Sequence, residues 1–162
     1  MPLRAVATGR FLAGLGKPGL VILDVIARRQ EIVELPKRAD SIVAISSSGR
    51  HLALTTQEGD AILLEHAKES GSIKSEAGAV QTGAFSRDGS RIVTGADEGV
   101  VDVWTARGQK VVSLAEEGPS VIGITFVGAR RAIAACTVRS VRSSGIRRIG
   151  KRRTGSGSVQ QA

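Results

Sequence analysis

The sequence predicts an all-β chain built from one four-stranded antiparallel unit that repeats every 40 residues. Three observations predict it. Twenty glycines and four prolines in 162 residues supply many turns and few long helices. The apolar residues are aliphatic, with Phe11, Phe85, Phe126 and Trp104 the only aromatics, and their β-branched members favour strands. Short apolar runs, each ended by a glycine-bearing turn, recur at one fixed spacing.

That spacing appears when residues 84–104, "AFSRDGSRIVTGADEGVVDVW", are shifted back by 40 onto "AISSSGRHLALTTQEGDAILL". Ala44, Ser46, Gly49, Glu58 and Gly59 meet Ala84, Ser86, Gly89, Glu98 and Gly99. A second shift of 40 brings in residues 5–24, where Gly9, Arg10, Leu12, Ala13, Gly19, Ile22 and Leu23 match Gly49, Arg50, Leu52, Ala53, Gly59, Ile62 and Leu63 without a gap. In each unit a strand reaches a turn at Gly9, Gly49 or Gly89, where glycine accepts a positive φ at little cost. A second strand follows ("FLAGL", "HLALT", "RIVTG"), then a turn ending in Gly19, Gly59 or Gly99, then a third strand. A fourth is expected near 30–35, 71–75 and 109–114. Two hairpins and a fourth strand per 40 residues are the period of a propeller blade. A helical solenoid would need apolar-periodic runs of ten or more residues, and none is present.

The residues then reach a known family. "AFSRDGSRIVTGADEGVVDVWTARGQKVVSL", residues 84–114, resembles a WD repeat of the β-propeller family. The matching features are the turn from Phe85 through Asp88 to Gly89, the turn Asp97-Glu98-Gly99, the Val101-x-Val103-Trp104 strand, and "RGQKVVSL". Residues 41–75 and 4–35 are weaker copies, and the likeness covers about residues 4–137. It implies a partial β-propeller with blades near 4–35, 41–75 and 80–114, plus a half blade at 120–137. The signature Trp-Asp pair is Trp104-Thr105, Leu64-Glu65 and Asp24-Val25 here, and the Gly-His pair is missing. The family's buried Asp–His–Ser/Thr–Trp network is therefore incomplete in every blade. Asp97 is its one candidate Asp and is expected to accept turn N–H groups, leaving the blades to hold by aliphatic packing.

The fourth unit starts well at "SVIGITFVGARRAIAACT" and stops after Thr137. Residues 138–162 form a basic tail, read as disordered from its Gly/Ser/Arg bias. Sixteen of the twenty-three basic residues and all fifteen acidic ones lie in the first 138, a net +1, while residues 139–162 hold seven cations and no acid. Arg147, Arg148, Lys151, Arg152 and Arg153 would give a salt-sensitive, sequence-blind contact to nucleic acid or another polyanion, without aromatics to stack on bases. A change of reading frame after Thr137 or a truncated coding sequence, which would make the chain a fragment of a larger propeller, is the remaining reading of this segment.

Little points to chemistry. His51 and His66 have no metal-ligand spacing and read as surface or half-buried polar residues. No serine lies in Gly-x-Ser-x-Gly. "GLGKPG", residues 14–19, lacks the ending of a phosphate loop and falls in a hairpin. The acids at Glu65, Asp97-Glu98 and Glu116-Glu117 sit in turns and connections and read as solvated. Cys136, the lone cysteine, reads as a small buried residue with no disulfide partner. Lys17-Pro18-Gly19 interrupts the one apolar N-terminal run, so neither a signal core nor a membrane span is expected. The expectation is a cytoplasmic, non-catalytic protein-interaction scaffold, with no cofactor or metal, presenting the connections at 36–41, 65–71, 76–80 and 115–120. Its partner would be a protein, or a second copy meeting open blade faces. The alternative is polyanion binding through the tail.

Overall fold

The structure, a computed structural model, describes residues 5–16, 19–35, 39–76, 78–115, 119–127 and 131–136. Every regular element among them is a strand. Blade 1 contains β1 (Ala5–Ala7), β2 (Phe11–Leu15), β3 (Leu20–Asp24) and β4 (Arg29–Val33). Blade 2 contains β5 (Ala39–Ile45), β6 (His51–Thr56), β7 (Ala61–Glu65) and β8 (Lys68–Ile73). Blade 3 contains β9 (Val80–Phe85), β10 (Arg91–Ala96), β11 (Val101–Thr105) and β12 (Lys110–Ala115). A fourth sheet holds β13 (Val121–Val127) and β14 (Arg131–Cys136). Each sheet is an antiparallel meander in chain order, and no strand crosses between sheets. The chain is thus an open partial β-propeller. Residues 137–162, with the five expected polyanion contacts, lie outside the described residues, as do the side chains of β14, including Cys136.

Alternation along the strands explains why the sheets stack. In blade 2, Leu52, Leu54, Ile62 and Leu64 share one face and join Ala13, Leu20, Ile22 and Val33 of blade 1 in one buried cluster. The residues between them, Ala53, Ala61 and Leu63, face the other way and pack with Ile92 and Trp104 of blade 3. A third cluster joins Val93, Val101 and Val103 to Val121 of β13. The middle strands of blade 2 are buried on both faces, which is why β6 and β7 read as near-continuous apolar runs. Each fully buried Leu or Ile contributes about 1.5–3 kcal/mol relative to its exposed state.

Blade 1 departs from the gapless repeat. Ala7 pairs with Leu12 in the first hairpin, whereas Ile45 pairs with Leu52 in the second, so the first loop is two residues shorter. Thr8, not Gly9, closes it: Phe11 N–H donates to Thr8 Oγ1 at 3.0 Å, as His51 N–H does to Ser46 Oγ at 3.0 Å and Arg91 N–H to Ser86 Oγ at 3.0 Å. Gly49 and Gly89 adopt φ of +73° and +72°, while Gly9 is not left-handed and a Cβ added there would meet nothing within 4 Å. The second loop is also shorter by one. Ala13 pairs with Ile22 where Ala53 pairs with Leu63, which puts Gly19 at the place of Asp60. Gly19 is needed there for a different reason: a Cβ would lie 2.8 Å from the Val33 carbonyl oxygen.

Candidate interaction surfaces

A meander places its turns alternately at two ends. The β1–β2, β5–β6 and β9–β10 loops share one end with the β3–β4, β7–β8 and β11–β12 loops. The β2–β3, β6–β7 and β10–β11 loops share the other end with the links between blades. The expected contact segment 65–71 therefore lies at the first end, and the described residues of 36–41, 76–80 and 115–120 lie at the second.

At the first end the turns are fixed twice over. Inside the turn, Gly89 N–H donates to the Ser86 carbonyl at 2.8 Å, and Gly49 N–H to that of Ser46 at 3.0 Å. Between blades, a Cβ on Gly49 would meet the Phe11 ring at 2.7 Å, and one on Gly89 would meet His51 at 2.9 Å. Ser47 Oγ donates to the Arg87 carbonyl at 2.9 Å, tying two equivalent turns together. Asp88 Oδ1 accepts Ser86 Oγ at 2.6 Å, Ser90 N–H at 3.1 Å and Ser90 Oγ at 2.9 Å. The Ser86 hydroxyl, followed by the Ser90 donors, holds the Asp88 carboxyl down at about 2. In blade 1 the same end carries Arg10 and Asp24, paired through two nitrogens with Nη2–Oδ2 at 2.6 Å. Arg10 and then the Ala27 N–H lower Asp24 to about 2. Arg10 also lies over the Phe11 ring at 5.0 Å.

His66 and Ala67 form the two-residue β7–β8 loop, with φ of +49° and +63°, the mirror-image turn that matches strand twist but disfavours side chains. His51 is half-buried and its ring lies 5.8 Å from that of Phe85. Neither histidine joins a metal-binding cluster, and no group of three ligating side chains occurs among the described residues.

At the second end, Gly59 and Gly99 close three-residue loops with φ of +91° and +79°. Val80 N–H donates to the Gly59 carbonyl at 3.0 Å and Asp97 N–H to that of Ala79 at 3.1 Å, so each loop braces the link into blade 3. The Asp97 carboxylate accepts Ser120 Oγ at 3.4 Å. Its observed role is to join this loop to the entry of the fourth sheet.

Trp104 is buried, and its Nε1–H donates to Thr94 Oγ1 at 2.8 Å. Blade 3 therefore adds a polar bond to its aliphatic packing, where packing alone was expected. On the same side Asp102 is buried. It accepts Ser113 Oγ at 2.5 Å and pairs with Lys110 Nζ at 2.9 Å, and that nitrogen lies 5.5 Å from the Trp104 ring centre. These residues, with Ser72, Lys74 and Glu76, line a groove of ≈ 580 Å³ between the outer strands of blades 2 and 3. Sequence reading passed over Asp102. The available signal was a single acid inside an apolar strand. A second hollow, of ≈ 360 Å³, lies against the inner strands β1, β5, β9 and β13.

The joint between blades 2 and 3 is closed by backbone. A Cβ on Gly71 would overlap the Arg107 carbonyl, and one on Gly108 would overlap that of Ser72. The three-residue β11–β12 loop, with Gly108 at φ +85°, thus rests directly on β8.

No protein-family model matches the chain, and no curated protein matches it in sequence. Solved structures do match in fold. Hydrazine synthase of Kuenenia stuttgartiensis superposes with a TM-score of 0.62 at 17% identity, over 86% of this chain and 42% of that one. The structure of U3-55K gives 0.64 at 18% identity, over 83% and 46%. The chain spans less than half the length of either. At such identities the likeness is one of fold. No helix among the described residues is long and apolar enough to cross a membrane.

Proposed function

We propose that the chain is a non-catalytic protein-interaction scaffold of WD-repeat type, acting in the cytoplasm as part of a propeller. The observation that carries this reading is the contrast inside each turn. Backbone positions are held by hydroxyl caps and glycine contacts, while the residues around them are exposed and differ from blade to blade: Ser47, Ser48 and Arg50 in one, Arg87, Asp88 and Ser90 in the next. A rigid frame with variable exposed loops suits recognition. The two matched structures have different names, one of them an enzyme's, so likeness of fold does not choose a function. The WD-type reading rests on the residue 84–114 pattern.

Crosslinked affinity purification of the full chain tests the proposal. It should recover a protein partner in fixed stoichiometry. Arg87→Glu at one end or Glu98→Lys at the other should release that partner without changing the melting temperature. Recovery of nuclease-sensitive material alone, or of no stoichiometric partner, contradicts it.

A further inference from the structure

The two ends of the blades carry opposite charge. At the first end every turn of blades 1 to 3 except the β7–β8 loop holds an arginine: Arg10, Arg28, Arg50, Arg87 and Arg107. All five are exposed, and of the five only Arg10 has a salt bridge among the described residues. Of the acids there, Asp24 is taken by Arg10 and Asp88 by Ser86 and Ser90, while Glu65 is half-buried. At the second end the β6–β7 turn holds Glu58 and Asp60, and the β10–β11 turn holds Asp97 and Glu98. No arginine occurs there among the described residues. The arginines also share their end with the most exposed large aliphatic among the described residues, Ile26 at 72%, and its neighbour Val25 at 57%. That apolar tip is held in place: Asp24 Oδ1 accepts Ile26 N–H at 3.1 Å and Ala27 N–H at 2.9 Å, and Arg10 grips Asp24 through two nitrogens.

The tip and the arginines belong to one continuous surface. Val25 N–H donates to the Arg10 carbonyl at 3.0 Å. The Phe11 ring beside Arg10 lies 2.7 Å from where a Cβ on Gly49 would stand, next to Arg50, and Ser47 Oγ donates to the Arg87 carbonyl at 2.9 Å. We propose that this end binds an acidic peptide segment of a partner protein, its carboxylates on Arg28, Arg50 and Arg87 and an apolar residue on the Val25-Ile26 tip. Arginine suits that ligand because its planar fork donates two parallel N–H bonds to one carboxylate. Separate exposed ion pairs contribute little each, so binding needs several arginines together with the apolar anchor. A phosphate backbone would use the arginines and leave Val25 and Ile26 in water, which favours a peptide over nucleic acid. The inference rests on the scaffold reading and deepens it, since it names the class of partner and the end that receives it.

The probe is a fluorescein-labelled peptide with two leucines between two runs of four glutamates, titrated into the full chain at low salt and followed by anisotropy. Saturable binding is expected. It should weaken at least tenfold when Arg50→Glu and Arg87→Glu are combined. Ile26→Ser should weaken it as well, yet leave unchanged the binding of a peptide with two glycines in place of the leucines. Lys74→Glu at the second end, and Arg152→Glu with Arg153→Glu in the tail, should leave it as it was. Ile26, Arg50 and Arg87 are exposed, so their substitution should not unfold the chain, and a matching melting temperature checks this. No saturable binding, binding indifferent to the arginine pair or to Ile26→Ser, or equal loss from Lys74→Glu or the tail pair overturns the inference. Tighter binding of a short RNA duplex through the same arginines overturns it too. The scaffold reading fails on a different result, the lack of a stoichiometric partner. A partner released by Glu98→Lys alone would end this inference and keep that reading.

Discussion

The joint between blades 1 and 2 and the joint between blades 2 and 3 solve one packing problem by different means. The first is a thick layer of branched aliphatics: Leu20, Ile22 and Val33 against Leu52, Leu54, Ile62 and Leu64. The second mixes three alanines, Ala44, Ala53 and Ala61, with Leu63, Ile73, Val80 and Ile92. It brings backbone onto backbone at Gly71 and Gly108 and inserts Trp104 with its hydrogen bond to Thr94. An aliphatic layer tolerates changes of shape that keep its volume. A glycine-closed joint has no slack, because a carbonyl group cannot rotate away as a side chain can. Specificity of blade order should therefore reside in the second joint.

The strongest way to break this comparison is a pair of substitutions at equivalent positions. Gly71 lies opposite Leu63 and Glu31 lies opposite Ile22. Gly71→Ala is expected to cost roughly 3 kcal/mol, the upper end for overpacking, in chemical denaturation. Glu31→Ala, on an exposed edge, is expected to stay within about 0.5 kcal/mol of the parent. Thr94→Val comes next: it leaves the Trp104 N–H buried without an acceptor and should cost about 1–2 kcal/mol. A third change sharpens the picture by gaining stability. Ala67→Gly relieves a left-handed alanine in the β7–β8 loop and should raise stability by about 1 kcal/mol, read as a higher melting temperature.

The smallest effect is in pH. The Asp88 carboxyl lies at about 2 in the fold and near 3.9 in an unfolded chain. A lowered folded value means stability that is present above the unfolded value and lost as pH falls toward 2. Melting temperature measured between pH 5 and 2 should therefore fall less steeply for Asp88→Asn than for the parent. An identical slope would assign the acid sensitivity to other groups, Asp24 first among them.

Much of the fold was legible because burial on both faces leaves a plain mark: apolar runs of strand length, spaced by glycine turns. The open, all-β propeller character followed from that spacing. The departures in blade 1 were not legible, for a physical reason. Gly9 and Gly19 coincide with Gly49 and Gly59 in the gapless alignment, yet the loops holding them are shorter, and identity of a turn residue does not fix loop length. The hydroxyl caps at Thr8, Ser46 and Ser86 mark the true correspondence, and their spacing in the first step is 38, not 40. Gly49 and Gly89 were legible as turn residues. Their second task, admitting Phe11 and His51 from the preceding blade, depends on stacking between units that no single repeat displays. Asp102 was hidden likewise, since its partners Lys110 and Ser113 belong to the next strand.

The central claim is that the blades are joined unequally, with the second joint held by glycine. Residue-resolved hydrogen exchange on the Gly71→Ala chain tests it most directly. The account predicts that protection falls across β9 to β12 while the amides of β2, β3, β6 and β7 keep theirs. Uniform loss across all three blades, or unchanged protection in blade 3, would contradict it.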